Sequence, residues 1–256
     1  MKNRLNKLYA DNRKAAARKF EVVAKADSSE VDIFLYDHIV SSEEEAEWWG
    51  GVAPESFVKA VYAVDPSHTI NLRVNSPGGS VFAARAMEQA LRAHKGKVVV
   101  HIDGLAASAA TFVSMAGDEI VMSKGAMFMI HKAWTGIWGN AEDLRKEADL
   151  LDKIDGTLAE TYADKTGKDI AAITEWMAAE TWFTAQEALD AGFATSIADK
   201  EAKASVWNLS AYDNAPQLER APAPEPDPAP EPEPTASDEH RDRQQQRLRV
   251  LSLLAA

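Results

Sequence analysis

From residue 31 to residue 199, short apolar runs rich in Val and Ile alternate with longer runs of helical periodicity. This alternation constrains the fold more than any other feature of the chain. Strands separated by helices need crossover connections, so the pattern calls for an α/β domain built from repeated β-α units. Val31 to Val40, Thr69 to Asn75, Lys97 to Ile102, Glu119 to Met122 and Met127 to Lys132 read as strands. Pro54 to Val64 reads as a helix with its proline in the permitted first turn, and Val81 to His94 as another, stopped by Gly96. Ser108 to Ala116 is a short helix of mostly small residues ending at Gly117. A long amphipathic helix opens at Asn140, with Asp143 three residues on, and closes at Gly167. A last helix opens at Thr184 with Glu187 in capping-box spacing and closes at Gly192, before a short final strand.

A chain of 256 residues, 46% of them hydrophobic, can bury a full core. It has no cysteine, which excludes disulfides, a thiolate nucleophile and a cysteine-ligated metal. No run reaches the roughly 20 apolar residues that span a bilayer, and the first 20 residues carry seven Lys/Arg without the apolar stretch of a secretory signal. A cytoplasmic location and no membrane partner are therefore expected. The net charge of −12 makes the body acidic, which disfavours nucleic-acid binding. Eight of the eleven prolines fall between Pro216 and Pro234, in an Ala-Pro/Glu-Pro alternation that forms no core and reads as an extended, disordered spacer. The expected organisation is a basic arm at 1–20, a folded domain at 21–212, an acidic Pro-rich linker at 213–240, and a short basic, amphipathic segment at 241–256.

Three short stretches carry groups suited to acyl-transfer chemistry. Asn75-Ser76-Pro77-Gly78-Gly79-Ser80 joins a strand to a helix, where paired glycines turn sharply and expose backbone N–H groups; an ordinary turn fits equally well. Gly104 to Ala110 again joins strand to helix and sets Ser108 among alanines at the first helical turn. There the helix dipole favours a developing alkoxide and the Ala109 N–H can face a carbonyl oxygen. By itself Ser108 also reads as a plain N-cap. Met127 to Lys132 is an apolar strand ending near His131, the side-chain type that serves as a base near neutral pH. His101, inside a Val-rich strand, reads as structural.

Taken in order, these parts resemble a known set. Ser-Pro-Gly-Gly at 76–79, Gly-Leu-Ala-Ala-Ser-Ala at 104–109 and Met-Ile-His at 129–131 are similar to the three signature stretches of the Clp peptidase family, over roughly residues 31 to 199. The resemblance implies a spiral of ββα units shared with crotonases. It further implies Ser108 as nucleophile, His131 as general base, Gly79 and Ala109 N–H groups as the oxyanion hole, and Gly78 with its neighbours pairing with an extended substrate. No metal or organic cofactor is required. The third triad member expected from the family is an aspartate, and here Glu180 stands in that place, with Asp155 and Asp169 as fallbacks. A homo-oligomeric ring is implied, to which Trp134 and Trp138 would contribute either contacts or cover for the domain's own core. The basic arm and the Pro/Glu tail also resemble prohead proteases of tailed bacteriophages. This implies an ATP-independent endopeptidase that trims capsid or scaffold proteins, in the host cytoplasm or the immature head. Rival readings are a crotonase-type enzyme acting on acyl-CoA, a catalytically silent assembly protein, and a serine–lysine dyad using Lys124 or Lys132.

Overall fold

The computed structural model describes residues 4–15, 18–25, 29–202 and 207–216. They belong to one compact unit, Met1–Glu219. The expected segment 241–256 and most of the Pro-rich linker lie outside the described residues.

Helix α1 (Arg4–Asn12) and strand β1 (Lys19–Ala24) precede the first expected strand, β2 (Glu30–Tyr36). The 1–20 stretch thus begins as a helix, with Leu8, Tyr9 and Asn12 buried. Helices α2 (Glu43–Trp49) and α3 (Pro54–Tyr62) lead to β3 (Thr69–Ser76), α4 (Val81–Ala93), β4 (Val98–Ala107) and α5 (Ala109–Ser114). After β5 (Glu119–Lys124) and β6 (Met127–Ile130) come the long α6 (Ala141–Thr166), α7 (Ile170–Ala178), β7 (Thr181–Thr184), α8 (Ala185–Ala191) and β8 (Ser196–Glu201). Both capping boxes form: Asn140 with Asp143 opens α6, and Thr184 with Glu187 opens α8. Gly167 and Gly192 end these helices with left-handed backbone.

Strands β2, β3, β4, β5 and β8 are mutually parallel, with β1 added antiparallel at one edge. β4 positions the site because it is long enough to pair with two successive neighbours. Its first half, Val99 to Ile102, pairs with β5, and its last three residues, Leu105 to Ala107, pair with β6. β6 in turn carries β7 antiparallel.

Alternation along these strands divides two clusters of side chains. Val100, Ile102 and Ala106 of β4, with Phe128 and Ile130 of β6, face the main core, where α3, α4 and α5 pack. Leu105, Ala107 and Met129 face the opposite way into a smaller apolar cluster. Its lid comes from the two ends of the unit: Leu8 of α1 and Trp207, Leu209, Ala211 and Tyr212.

Candidate active site

Parallel pairing of β4 with β6 sets Ala107 opposite Met129. The next residue on β4 is Ser108, whose N–H donates to the Met129 carbonyl at 2.8 Å, and two residues beyond Met129 is His131. The two strand ends bring His131 Nε2 to 2.7 Å from Ser108 Oγ. Ser108 occupies the turn from β4 into α5 with φ 54° and ψ −125°, a conformation non-glycine residues rarely adopt. Such strain costs about 1–3 kcal/mol and is held here by the packed elements on both sides. It lifts the hydroxyl out of the strand in the manner of a nucleophile elbow. The Ser108 carbonyl accepts from Thr111 Oγ1 at 2.5 Å, and that hydroxyl also meets the Tyr162 hydroxyl at 2.7 Å, which ties the turn to α6.

The glycine turn lies directly against this elbow. A methyl built on Gly78 would sit 2.4 Å from the Ala107 carbonyl oxygen and 3.0 Å from Ala109 N, and Gly78 has φ 89°. Only glycine fits. Gly78 N–H donates to Ser76 Oγ and its carbonyl accepts from Ile39 N–H, so both of its backbone groups are engaged internally. Close approach to the elbow is what the backbone geometry requires of Gly78. Gly79 bridges Ile39 in parallel register through the flanking groups, Ile39 N–H to Gly78 O and Ser80 N–H to Ile39 O. In that register the N–H and C=O of Gly79 point away from Ile39. Among the described residues, neither the Gly79 N–H nor the Ala109 N–H has an internal acceptor.

Burial is the dominant influence on His131, which is only 8% exposed. Desolvation, with the nearby Arg4 charge adding to it, lowers its pKa to about 3, while Asp213 opposes the shift. The imidazole is therefore neutral near pH 7 and able to accept a proton from a hydroxyl. Trp134 and Tyr212 stand edge-on to its ring, with centroids 4.5 and 5.5 Å away.

Glu180 immediately precedes β7, the partner strand of β6, but is bonded to groups other than this histidine. The antiparallel register of β6 and β7 ends with Ile130 opposite Thr181, one residue short of His131 on one strand and of Glu180 on the other. Glu180 is buried, with φ 48°. Its carboxylate accepts from the backbone N–H groups of Asp213 at 3.0 Å and Asn214 at 2.6 Å, and from Trp182 Nε1 at 3.3 Å. No hydrogen bond joins it to His131 among the described residues. The fallback carboxylates are elsewhere: Asp155 accepts from Ala133 N–H and lies 4.0 Å from Lys132 Nζ, and Asp169 stands at the N-cap position of α7 without a side-chain capping bond. Lys124 reaches toward Asp199. Among the described residues neither lysine is bonded to Ser108. His101 bonds Asn71 within the sheet, as its strand position suggested.

Sequence reading missed Tyr212 and Trp134 as parts of the site. Tyr212 is buried, its hydroxyl donates to the Pro77 carbonyl and lies against Ser108, and its ring also meets Trp134 and Trp182. The available signal was the apolar spacing of Trp207, Leu209, Ala211 and Tyr212 just ahead of the proline-rich stretch.

Among the described residues no group of His, Asp and Glu has the arrangement of a metal site, and no helix is long and apolar enough to cross a membrane. The Clp protease family matches residues 39–201. A Clp protease proteolytic subunit 2 of Rhodococcus jostii, described as ATP-dependent, is 36% identical over 144 residues, 56% of this chain and 74% of that protein. The corresponding subunit 2 of Tropheryma whipplei is 28% identical over 178 residues, 66% of this chain and 98% of its own length. Among solved structures, a point mutant of ClpP1 from Listeria monocytogenes superposes with a TM-score of 0.56 at 20% identity, covering 66% of this chain and 91% of that one, a likeness of fold. A family match across well over half the chain, on a sheet that sets a serine against a buried histidine, makes this chain a serine peptidase of the Clp protease family.

Proposed function

We propose that Ser108 is the nucleophile of an endopeptidase and His131 its general base. The 2.7 Å contact between Ser108 Oγ and a neutral, buried imidazole carries this reading. On attack, the hydroxyl proton passes to His131 Nε2 as Ser108 Oγ bonds to the scissile carbonyl carbon, and the oxyanion is held by the Gly79 and Ala109 N–H groups. Collapse of the adduct expels the amine, which takes the proton from His131, and water then resolves the acyl-enzyme by the reverse sequence. The free N–H and C=O of Gly79 suit one rung of pairing with an extended peptide. Glu180, one residue ahead of β7 as His131 is one residue past β6, is the carboxylate placed to orient the imidazole once its present partners leave.

None of these steps uses a nucleotide, so cleavage of short peptides by this chain is ATP-independent, although the relatives are described as ATP-dependent. A crotonase-type reaction leaves the Ser108–His131 bond without a purpose, and a silent assembly protein has no use for a strained serine. Capsid or scaffold protein as substrate is supported by the tail's composition alone. Deleting residues 215–256 should then abolish either incorporation of the protease or its processing in an assembly assay.

A fluorophosphonate probe followed by peptide mass spectrometry tests the central reading. The adduct should fall on Ser108, vanish in Ser108→Ala and drop by about 10³-fold or more in rate in His131→Ala. Labelling at another serine, or equal labelling in His131→Ala, overturns it.

A further inference from the structure

Residues Trp207 to Asn214 lie across the proposed active site, outside the segment matched by the family. The contacts of this strap fall on groups the reaction would use and on their immediate supports. Tyr212 places its ring edge-on to His131 and its hydroxyl on the Pro77 carbonyl and against Ser108. Trp207 Nε1 donates to Asn75 Oδ1 at 3.1 Å, at the start of the glycine turn. Asp213 and Asn214 N–H groups take both carboxylate oxygens of Glu180. The apolar side chains between them cover Leu105, Ala107 and Met129, the face of β4 and β6 flanking Ser108.

The strap is clamped from the other end of the unit as well. Asn12 of α1, itself buried, donates from Nδ2 to Asn208 O at 2.9 Å and accepts from Asn208 N–H at 2.7 Å. Arg4 makes a two-bond ion pair with Asp213, at 2.7 and 2.9 Å, and lies over the Trp134 ring. A substrate needs the space over Ser108 that Tyr212 fills, and His131 needs an orienting carboxylate that the strap holds.

We propose that Trp207–Asn214 is a built-in inhibitory strap, locked by α1 and by Glu180, that must leave the cleft before a peptide can reach Ser108. The inference rests on the reading of Ser108 and His131 given above. Opening releases Tyr212 from the space over the nucleophile and frees the Glu180 carboxylate. The occupant of the apolar face then becomes a stretch of substrate chain, which implies a preference for peptides with aromatic or large aliphatic residues beside the scissile bond.

The test uses the full chain with Tyr212→Ala, and separately Asn12→Ala, which loosens the strap far from the reacting groups. Two quantities are followed: the rate of fluorophosphonate labelling at Ser108, and the titration of His131 by NMR. With the strap loosened, labelling should accelerate about tenfold or more, because the reactive fraction rises, and His131 should titrate nearer its ordinary range. Labelling at the wild-type rate in both variants overturns the inference and leaves the serine mechanism standing. A His131 titration unmoved in Tyr212→Ala overturns it too, since the strap then does not cover the ring. If His131 titrates higher yet no form is labelled, the nucleophile reading fails and the inference falls with it.

Discussion

Single residues at this site act through geometry that chemistry alone would not require of them. The lack of a side chain at Gly78 lets the glycine turn touch the Ser108 elbow. Gly78→Ala brings a methyl against the Ala107 carbonyl at a positive φ, and should cost roughly 2–4 kcal/mol by denaturant unfolding while lowering Ser108 labelling. His131 makes a pH prediction. With the strap closed its pKa is about 3, lowered by burial and by Arg4 against the opposing Asp213, with the Tyr212 ring edge-on to it and Glu180 held by the Asp213 N–H. With the strap open it approaches the ordinary value of about 6.5. Above that pH both forms are neutral and opening is unaffected. Below it the open form binds a proton that the closed form refuses, favouring opening by about 1.4 kcal/mol per pH unit. Between pH 6.5 and 5 the open population should rise by about 16-fold. Amide exchange of Leu209 to Asn214, corrected for the intrinsic pH dependence, reads it out. Protection that stays constant over this range counts against the coupling.

Among the elements, β4 does most to build the site. Sequence patterning ended this strand at Ile102, because His101 and Asp103 interrupt the apolar run. Both lie on the polar side of the sheet, where Asp103 accepts from Tyr36 and from Arg73. The chain therefore stays extended through Ala107, and the serine arrives beside β6 instead of beside β5. Strand β7 was likewise missed, because Thr181 to Thr184 is too short for a period to show and is held by distant partners, the β6 ladder and the packing of Phe183 in the main core. Helix α6 was legible from its caps. Its buried residues, Leu158, Ala159 and Tyr162, all lie in its C-terminal half. The first half therefore depends on its own capping, and Asn140→Ala should lose about 1 kcal/mol there. Exchange should quicken at residues 141–146, with little change in global unfolding.

At the scale of the molecule, exposed apolar side chains gather on α6 and the segment before it. Trp138 is 89% exposed, and Ile137, Leu144 and Leu150 are also open. Trp134, by contrast, is used at home beside His131 and Tyr212. A homo-oligomer joined through this segment would cover the exposed group, and large aromatics at such a place anchor interfaces. Trp138→Glu should shift the mass measured by light scattering toward the single chain while leaving the fold intact by circular dichroism. An unchanged mass assigns the contacts to another face.

The sequence by itself determined the α/β class, the helix caps, the position of Ser108 at a strand-to-helix turn and the strand that ends just before His131. These follow from local periodicity, capping chemistry and glycine spacing, which act over a few residues. Only the tertiary structure decided which groups meet. The fork of β4 brings Ser108 to His131, and the buried Glu180 carboxylate is taken up by the Asp213 and Asn214 N–H groups. Tyr212 enters the site from a part of the chain far from Pro77 and Ser108 in sequence. Contacts over such separations come from packing two faces of one sheet, and no periodicity within a short window records them.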